Sequence, residues 1–83
     1  MTTRLQLELT KERVAEVEAL MRELGLKTKT DLFNNALTLL EWAAKEKRRG
    51  RIIGSTDEEQ QRFKEVLLPA LETVARRREE VGV

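Results

Sequence analysis

The segment Arg4-Leu5-Gln6-Leu7-Glu8-Leu9 alternates strictly between polar and apolar residues, and it constrains the fold more than any other part of the chain. Such alternation is typical of a β-strand with one buried face, because successive side chains point to opposite sides of a strand. The remaining sequence has helical spacing, so we expect no second strand within the chain. An unpaired strand leaves backbone donors and acceptors unbonded, and the same strand from a second copy is therefore its expected partner.

Two such strands, paired antiparallel, would form a two-stranded ribbon with an apolar and a polar face. The apolar face would carry the three leucines, covered by helices of both copies, and the polar face Arg4, Gln6 and Glu8. A chain of 83 residues is short for an independent core. A core shared between two copies would supply the buried area that one copy lacks.

Two helices with clear end signals follow the strand. Thr10 is a suitable N-cap for a helix over residues 11–24, and Gly25 is a suitable C-terminal residue, with Leu26 placed to contact the last turn. Thr28 can cap a second helix that ends in KEKRRG at Gly50. The apolar positions of both helices recur at helical spacing: Val14, Val17, Leu20, Met21 and Leu24 in the first, and Leu32, Phe33, Ala36, Leu37, Leu40, Ala43 and Ala44 in the second.

The sequence after Gly50 predicts a linker and a third helix, so we divide the chain into residues 1–50 and 51–83. STDEEQ supplies a cap, Ser55 or Thr56, and an acidic first turn. Pro69 would then lie inside this helix and is expected to kink or break it after Leu68. The apolar stripe of the predicted helix consists of Phe63, Val66, Leu67, Ala70, Leu71 and Val74.

The order RLQLELT, a helix ending in ELGL, and KTKTDLFNNAL resembles the ribbon-helix-helix DNA-binding proteins of the MetJ/Arc/CopG type. The resemblance covers roughly residues 3–48. It implies a mainly α fold with one N-terminal strand, an intertwined homodimer with an intermolecular antiparallel ribbon, and a C-terminal helix outside the family pattern. It also implies a dimer core formed by Leu5, Leu7, Leu9, Val17, Leu20, Phe33, Ala36, Leu37 and Leu40.

The resemblance further implies that the polar face of the ribbon contacts DNA bases in the major groove. Arginine and glutamine can each form two hydrogen bonds to a base edge, and a carboxylate can accept from cytosine. The implied base contacts are thus Arg4, Gln6 and Glu8, and the implied phosphate contacts at the start of the second helix are Lys27, Thr28, Lys29 and Thr30. A solvent-exposed structural ribbon and an ordinary capped loop are the alternatives.

Two further features remain open from the sequence alone. The basic run KEKRRGR would suit either flanking phosphates or the negative end of a helix dipole. Trp42 is the only tryptophan, and it would suit a packing anchor better than a base stacker. Neither feature distinguishes a DNA-binding protein from a structural oligomerisation module.

The composition argues against catalytic and metal chemistry. The net charge is only +1, so the overall charge by itself gives no argument for nucleic-acid binding. The sequence contains no cysteine, which excludes a thiolate metal site, and no histidine, which removes the commonest metal ligand and general base. We therefore assign no catalytic residue, no metal site and no cofactor. There is no apolar run long enough to span a membrane and no apolar secretory core near the start, so a cytoplasmic location and no membrane partner are expected.

Taken together, these patterns predict a homodimeric, sequence-specific regulator of transcription, a repressor, that binds double-stranded DNA and can bind as a dimer of dimers. One alternative is the antitoxin of a toxin–antitoxin pair, with residues 55–78 binding a protein partner, the toxin. A second alternative is a structural oligomerisation module. A DNA shift assay at two salt concentrations would separate the last alternative from the others.

Overall fold

The computed structural model describes residues 2–80, which form three α-helices and one two-stranded antiparallel sheet. In chain order these are α1 (Lys11–Leu24), α2 (Lys29–Arg48), β1 (Gly54–Asp57), β2 (Arg62–Glu65) and α3 (Pro69–Glu80). The expected coarse class, a small and mainly helical chain, is confirmed. The described residues divide into two compact units between Asn35 and Ala36, so that α2 contributes residues to both.

Helix α1 begins and ends at the residues that its sequence predicts. The hydroxyl of Thr10 accepts a hydrogen bond of 3.1 Å from the N–H of Arg13, which satisfies one free donor of the first turn. Gly25 adopts a left-handed conformation, with φ of 69°, beyond the last turn. The N–H of Leu26 then donates to the carbonyl of Met21 at 2.9 Å, which completes a Schellman C-cap.

Helix α2 has the same kind of boundaries. The hydroxyl of Thr28 accepts from the N–H of Asp31 at 3.0 Å. At the other end, Gly50 has φ of 77°, and the N–H of Arg51 donates to the carbonyl of Glu46 at 3.0 Å. These local end signals explain why the two helices could be predicted from the sequence.

The predicted helix beginning at Ser55 or Thr56 is wrong, because residues 54–65 form a β-hairpin. Strands β1 and β2 pair antiparallel, with Thr56 opposite Phe63 and Asp57 opposite Arg62. The expectation that the chain holds no second strand is therefore also wrong. The hairpin pairs with itself, and its strands do not pair with residues 4–9.

The hairpin loop explains why the sequence favoured a helix there. The carboxylate of Asp57 accepts hydrogen bonds from the N–H groups of Glu59 and Gln60, at 3.1 and 3.2 Å, as an N-cap residue would. The turn ends at Gln61, which adopts a positive φ of 55°. Such bonds from a side chain to the backbone form in turns as well as at helix starts, so this signal did not distinguish a helix from the loop of a hairpin.

The last helix begins at Pro69, so this proline opens a helix and does not kink one. Proline suits the first helical position because its missing N–H would have no partner there. The N–H groups of Leu71 and Glu72 both donate to the carbonyl of Leu68, at 2.9 and 3.0 Å. The expected break after Leu68 is thus present, as the boundary between the hairpin and α3.

The strand predicted at the N-terminus has no partner strand within the part of the chain that the structure describes. Residues 2–10 belong to no helix or strand, although Thr10 itself has an extended backbone, with φ −67° and ψ 161°. The intermolecular ribbon stays a prediction, since its second strand would come from another copy.

The described residues bury very little apolar surface. Met21 is buried in the first unit, Ala43 and Leu71 are buried in the second, and no described side chain is fully enclosed. Many large apolar side chains are exposed instead: Leu5, Leu7, Leu9, Leu20, Leu24, Phe33, Leu37, Leu39, Leu40, Trp42, Ile52, Phe63, Val66, Leu67 and Leu68. Exposed apolar side chains in such number usually mark an interaction site.

Candidate nucleic-acid interface

The predicted base-contacting residues lie in the N-terminal segment, before α1. Arg4, Gln6 and Glu8 are all exposed, and no backbone group of residues 2–9 forms a hydrogen bond with another described residue. The leucines that alternate with them are exposed as well, at 72% for Leu5 and 79% for Leu7. Both sides of this segment are therefore free, the polar side to contact a ligand and the apolar side to pack against another surface.

The predicted phosphate contacts surround the start of α2. Lys27, Thr28, Lys29 and Thr30 are exposed, and the hydroxyl of Thr28 is engaged with the N–H of Asp31. The N–H groups of the first two helical residues have no described partner, as is usual at a helix start. They belong to Lys29 and Thr30, at the positive end of the dipole of α2, and Lys27 lies two residues before them. This combination suits an anionic oxygen.

Asp31 works against an anion at this position. Its carboxylate lies in the first turn of α2. There it stabilises the helix through the dipole, but it would repel a nearby phosphate. Any phosphate contact at this helix start must therefore use the side of the turn that faces the lysines and not the side that carries Asp31.

The predicted dimer-core residues of α2 share one face of the helix. Phe33, Ala36, Leu37 and Leu40 fall within about 100° of arc at 100° per residue. All four are exposed, with Phe33 at 48% and Leu40 at 43%. In α1, Val17 is half-buried and Leu20 is exposed. The residues that were predicted to form a core are thus largely uncovered in the single chain.

Sequence reasoning left open whether the basic run at the end of α2 contacts phosphates, and it missed that the last turn of α3 brings Arg78 to this run in the second unit. The guanidinium of Arg78 lies directly over Gly50, with its carbon 3.1 Å from the position that a Cβ would take there. We name Arg78 and the arginines that adjoin this contact in sequence the arginine corner: Arg48, Arg49, Arg76, Arg77 and Arg78. Of these, Arg76 also donates from NH2 to the hydroxyl of Thr73 at 3.2 Å. The only sequence signal was two separate basic runs, each of which the nearby helix end would explain by itself.

An ion pair connects α2 with α3 beside the arginine corner. Lys47 is buried, with 8% of its surface exposed, and its Nζ lies 3.9 Å from Oε1 of Glu72. Glu46, one residue earlier, accepts from the guanidinium of Arg51 at 2.7 Å. Glu46 is therefore bonded to Arg51, whereas Glu72 lies within ion-pair distance of Lys47 but its buried Oε1 has no hydrogen-bond partner among the described residues.

The hairpin presents a polar face and an opposite face that carries Phe63. Because cross-strand partners share a face, Ser55, Asp57, Arg62 and Lys64 lie together around a shallow depression. Within residues 2–80, no group of three or more acidic, cysteine or histidine residues is arranged to bind a metal ion. None of the helices described here combines the length and the apolar character that crossing a membrane requires.

Comparison of the chain with models of known protein families, with curated proteins and with solved structures found no match.

Proposed function

We propose that the chain is the subunit of a homodimeric, sequence-specific DNA-binding regulator, a repressor, that inserts an intermolecular ribbon into the major groove. One observation carries the proposal. Residues 4–9 alternate in polarity, have no strand partner among residues 2–80, expose three leucines, and precede two helices with well-formed caps. This is the arrangement that the ribbon-helix-helix resemblance implies.

The exposed apolar surface supports a second copy as the partner of this segment. A soluble chain rarely leaves so many large apolar side chains uncovered, and burying one leucine is worth about 1.5–3 kcal/mol. Pairing two N-terminal segments would bond their free backbone groups and bring the leucines of both against the exposed face of α2. The polar row would then be displayed on the outer face of the ribbon.

The polar row has the hydrogen-bonding groups that base recognition needs. A two-stranded ribbon fits the major groove, where each base pair presents a different pattern of donors and acceptors. Arg4 would contact guanine and Gln6 adenine, while the start of α2, with Lys27 and Lys29, would position the protein on the phosphate backbone. Two dimers on neighbouring half-sites would extend the recognised sequence.

The test begins with selection of bound sequences from random duplex DNA. Binding to the selected duplex and to a random one is then compared for the wild type and Gln6→Ala. Losing a bidentate base contact costs about 1–3 kcal/mol, so Gln6→Ala should lower the preference for the selected sequence about tenfold or more. The control Gln60→Ala, an exposed residue of the hairpin loop, should leave the preference unchanged. Wild-type protein that shows no salt-sensitive binding to any duplex would exclude the proposed function.

A second candidate function is that of an antitoxin, and one observation favours it. The second unit exposes a run of apolar side chains around the hairpin and the start of α3, namely Ile52, Phe63, Val66, Leu67 and Leu68. Such a surface suits a protein partner. This function, in addition to DNA binding, would be supported by an adjacent gene that encodes a small toxic protein. The wild-type chain should relieve the growth inhibition caused by that protein, and the variant Leu67→Asp should not.

A further inference from the structure

The arginine corner brings together cations that are distant in sequence. Arg49 and Arg51 adjoin Gly50 in the chain, so their Cα atoms lie about 3.8 Å from its Cα. The guanidinium of Arg78 lies over the same glycine, with NH2 3.2 Å from the position of a Cβ. Gly50 permits this approach, because its positive φ of 77° forms the end of α2 and it has no side chain to displace Arg78.

The local negative charge does not balance these cations. Among the described side chains, the five arginines of the corner form no salt bridge. The nearby Glu46 is paired with Arg51 at 2.7 Å, and the nearest cation to Glu72 is Lys47, at 3.9 Å. The ends of α2 and α3 contribute about −0.5 charge each. Even when Glu79 and Glu80 are counted as well, five positive charges exceed these three units of negative charge by about two.

Arg78 itself provides a second observation. Its Nε is buried and has no hydrogen-bond partner among the described residues. A guanidinium carries five N–H donors in a planar fork, and burying one of them without a partner is unfavourable. The fold nevertheless holds this side chain against Gly50, where it adds positive charge to the end of α2.

We propose that the arginine corner is a second DNA-binding surface that contacts the phosphate backbone of duplex DNA outside the base-contacting ribbon. The guanidinium fork matches two phosphate oxygens, and Arg48, Arg49, Arg76 and Arg77 are exposed on an open surface, which suits an extended polyanion better than a small enclosed anion. The inference depends on the proposed function, because its ligand is the same duplex.

The experiment compares the salt dependence of DNA binding for the double variant Arg49→Gln/Arg77→Gln and the wild type, both as the full chain. Affinity for a random-sequence duplex is measured by fluorescence anisotropy over a series of NaCl concentrations. Each lost phosphate contact reduces the slope of log affinity against log salt by about 0.9, so the double variant should lose about 1.8 per protomer. Arg78 stays in place, so that the packing of α3 is retained.

The matched control is Arg22→Gln/Arg62→Gln, which removes the same charge from two exposed arginines outside the corner. It should keep the wild-type slope, and circular dichroism should give the same melting temperature for all three proteins. Gln6→Ala should lose sequence preference and keep the slope, which separates base recognition from backbone contact.

Each remaining outcome overturns the proposal in a distinguishable way. If the corner variant has the same DNA affinity and salt slope as the wild type and keeps its sequence preference, the arginine corner does not contact DNA. The proposed function would then still hold. Absence of salt-sensitive binding in the wild type would reject both. If the corner variant keeps the wild-type salt slope for DNA but, unlike the wild type, is no longer retained on phosphatidylglycerol vesicles, the corner binds a membrane surface and not DNA.

Discussion

At the scale of single residues, two glycines resist substitution for different reasons, one because of its backbone conformation and the other because of the space around it. Gly25 has a left-handed conformation with open space where a Cβ would be, whereas a Cβ on Gly54 would overlap the carbonyl oxygen of Lys64 across the hairpin. Gly54 has no unusual φ, so only the tertiary structure reveals its constraint.

Replacement of each glycine by alanine should therefore have a different effect. Gly25→Ala should lower the free energy of unfolding by about 1–2 kcal/mol, the cost of a left-handed alanine. Gly54→Ala should disrupt the start of the hairpin, where the N–H of Val66 donates to the carbonyl of Ile53 at 2.7 Å. Hydrogen exchange at the Val66 amide should accelerate in Gly54→Ala and stay slow in Gly25→Ala. Equal protection in both variants would contradict the steric argument.

Glu8 is the residue of the proposed polar row that least suits DNA. If the two-fold axis of the ribbon passes at Gln6, Arg4 of one copy lies opposite Glu8 of the other, a pairing worth about 0.2–1 kcal/mol. Glu8 would then hold Arg4 extended towards guanine.

Glu8→Gln should accordingly strengthen binding to random DNA, because repulsion between the carboxylate and the phosphates is removed. It should also reduce the difference in affinity between the selected and the random duplex. Affinities for both duplexes are the measurement, with Glu18→Gln on α1 as the charge-matched control. An equal gain for both duplexes would show that Glu8 does not position Arg4.

At the scale of elements, the contact between α2 and α3 depends on Lys47. Its long apolar stem is buried, and its ammonium group reaches Glu72, whose side chain is 39% exposed. Because Nζ and Oε1 are 3.9 Å apart and Oε1 accepts no hydrogen bond, the pair is loose, and the packing of the stem should matter more than the charge.

Lys47→Met should consequently leave the free energy of unfolding within about 0.5 kcal/mol of wild type, whereas Lys47→Ala should lose about 1–2 kcal/mol through lost packing. Urea unfolding followed by circular dichroism distinguishes the two variants. If methionine were as destabilising as alanine, the ion pair and not the stem would hold α3 in place.

At the scale of the whole molecule, the single chain exposes the surface that a core would normally bury. The proposed dimer would cover the leucines of residues 4–9 and the apolar face of α2. Folding and association should then occur together, and the stability of the protein should depend on its concentration.

The midpoint of thermal unfolding should therefore rise with protein concentration. Leu7→Ser should lower it strongly, because each copy of the leucine contributes about 1.5–3 kcal/mol on burial. Leu67→Ser is the matched control, since Leu67 is 69% exposed and lies outside the proposed ribbon. A cooperatively folded monomer, with a midpoint independent of concentration, would contradict the dimer.

The sequence by itself determined the two helices that follow the N-terminal segment. Their signals are local: Thr10 and Thr28 bond to N–H groups three residues on, and Gly25 and Gly50 supply the left-handed residue that ends a helix. The alternation of residues 4–9 likewise identified the segment on which the proposed function depends. These features need no knowledge of the rest of the chain, because each bond joins residues within one turn.

Only the tertiary structure decided the second half of the chain. The acidic segment after Thr56 carried a helix-start signal, but pairing of Thr56 with Phe63 and the left-handed Gln61 made it a hairpin loop. The approach of Arg78 to Gly50 joins residues that are distant in sequence, and no local pattern encodes it. Local capping energies are about 1 kcal/mol, so cross-strand and interhelical contacts of similar size can override them.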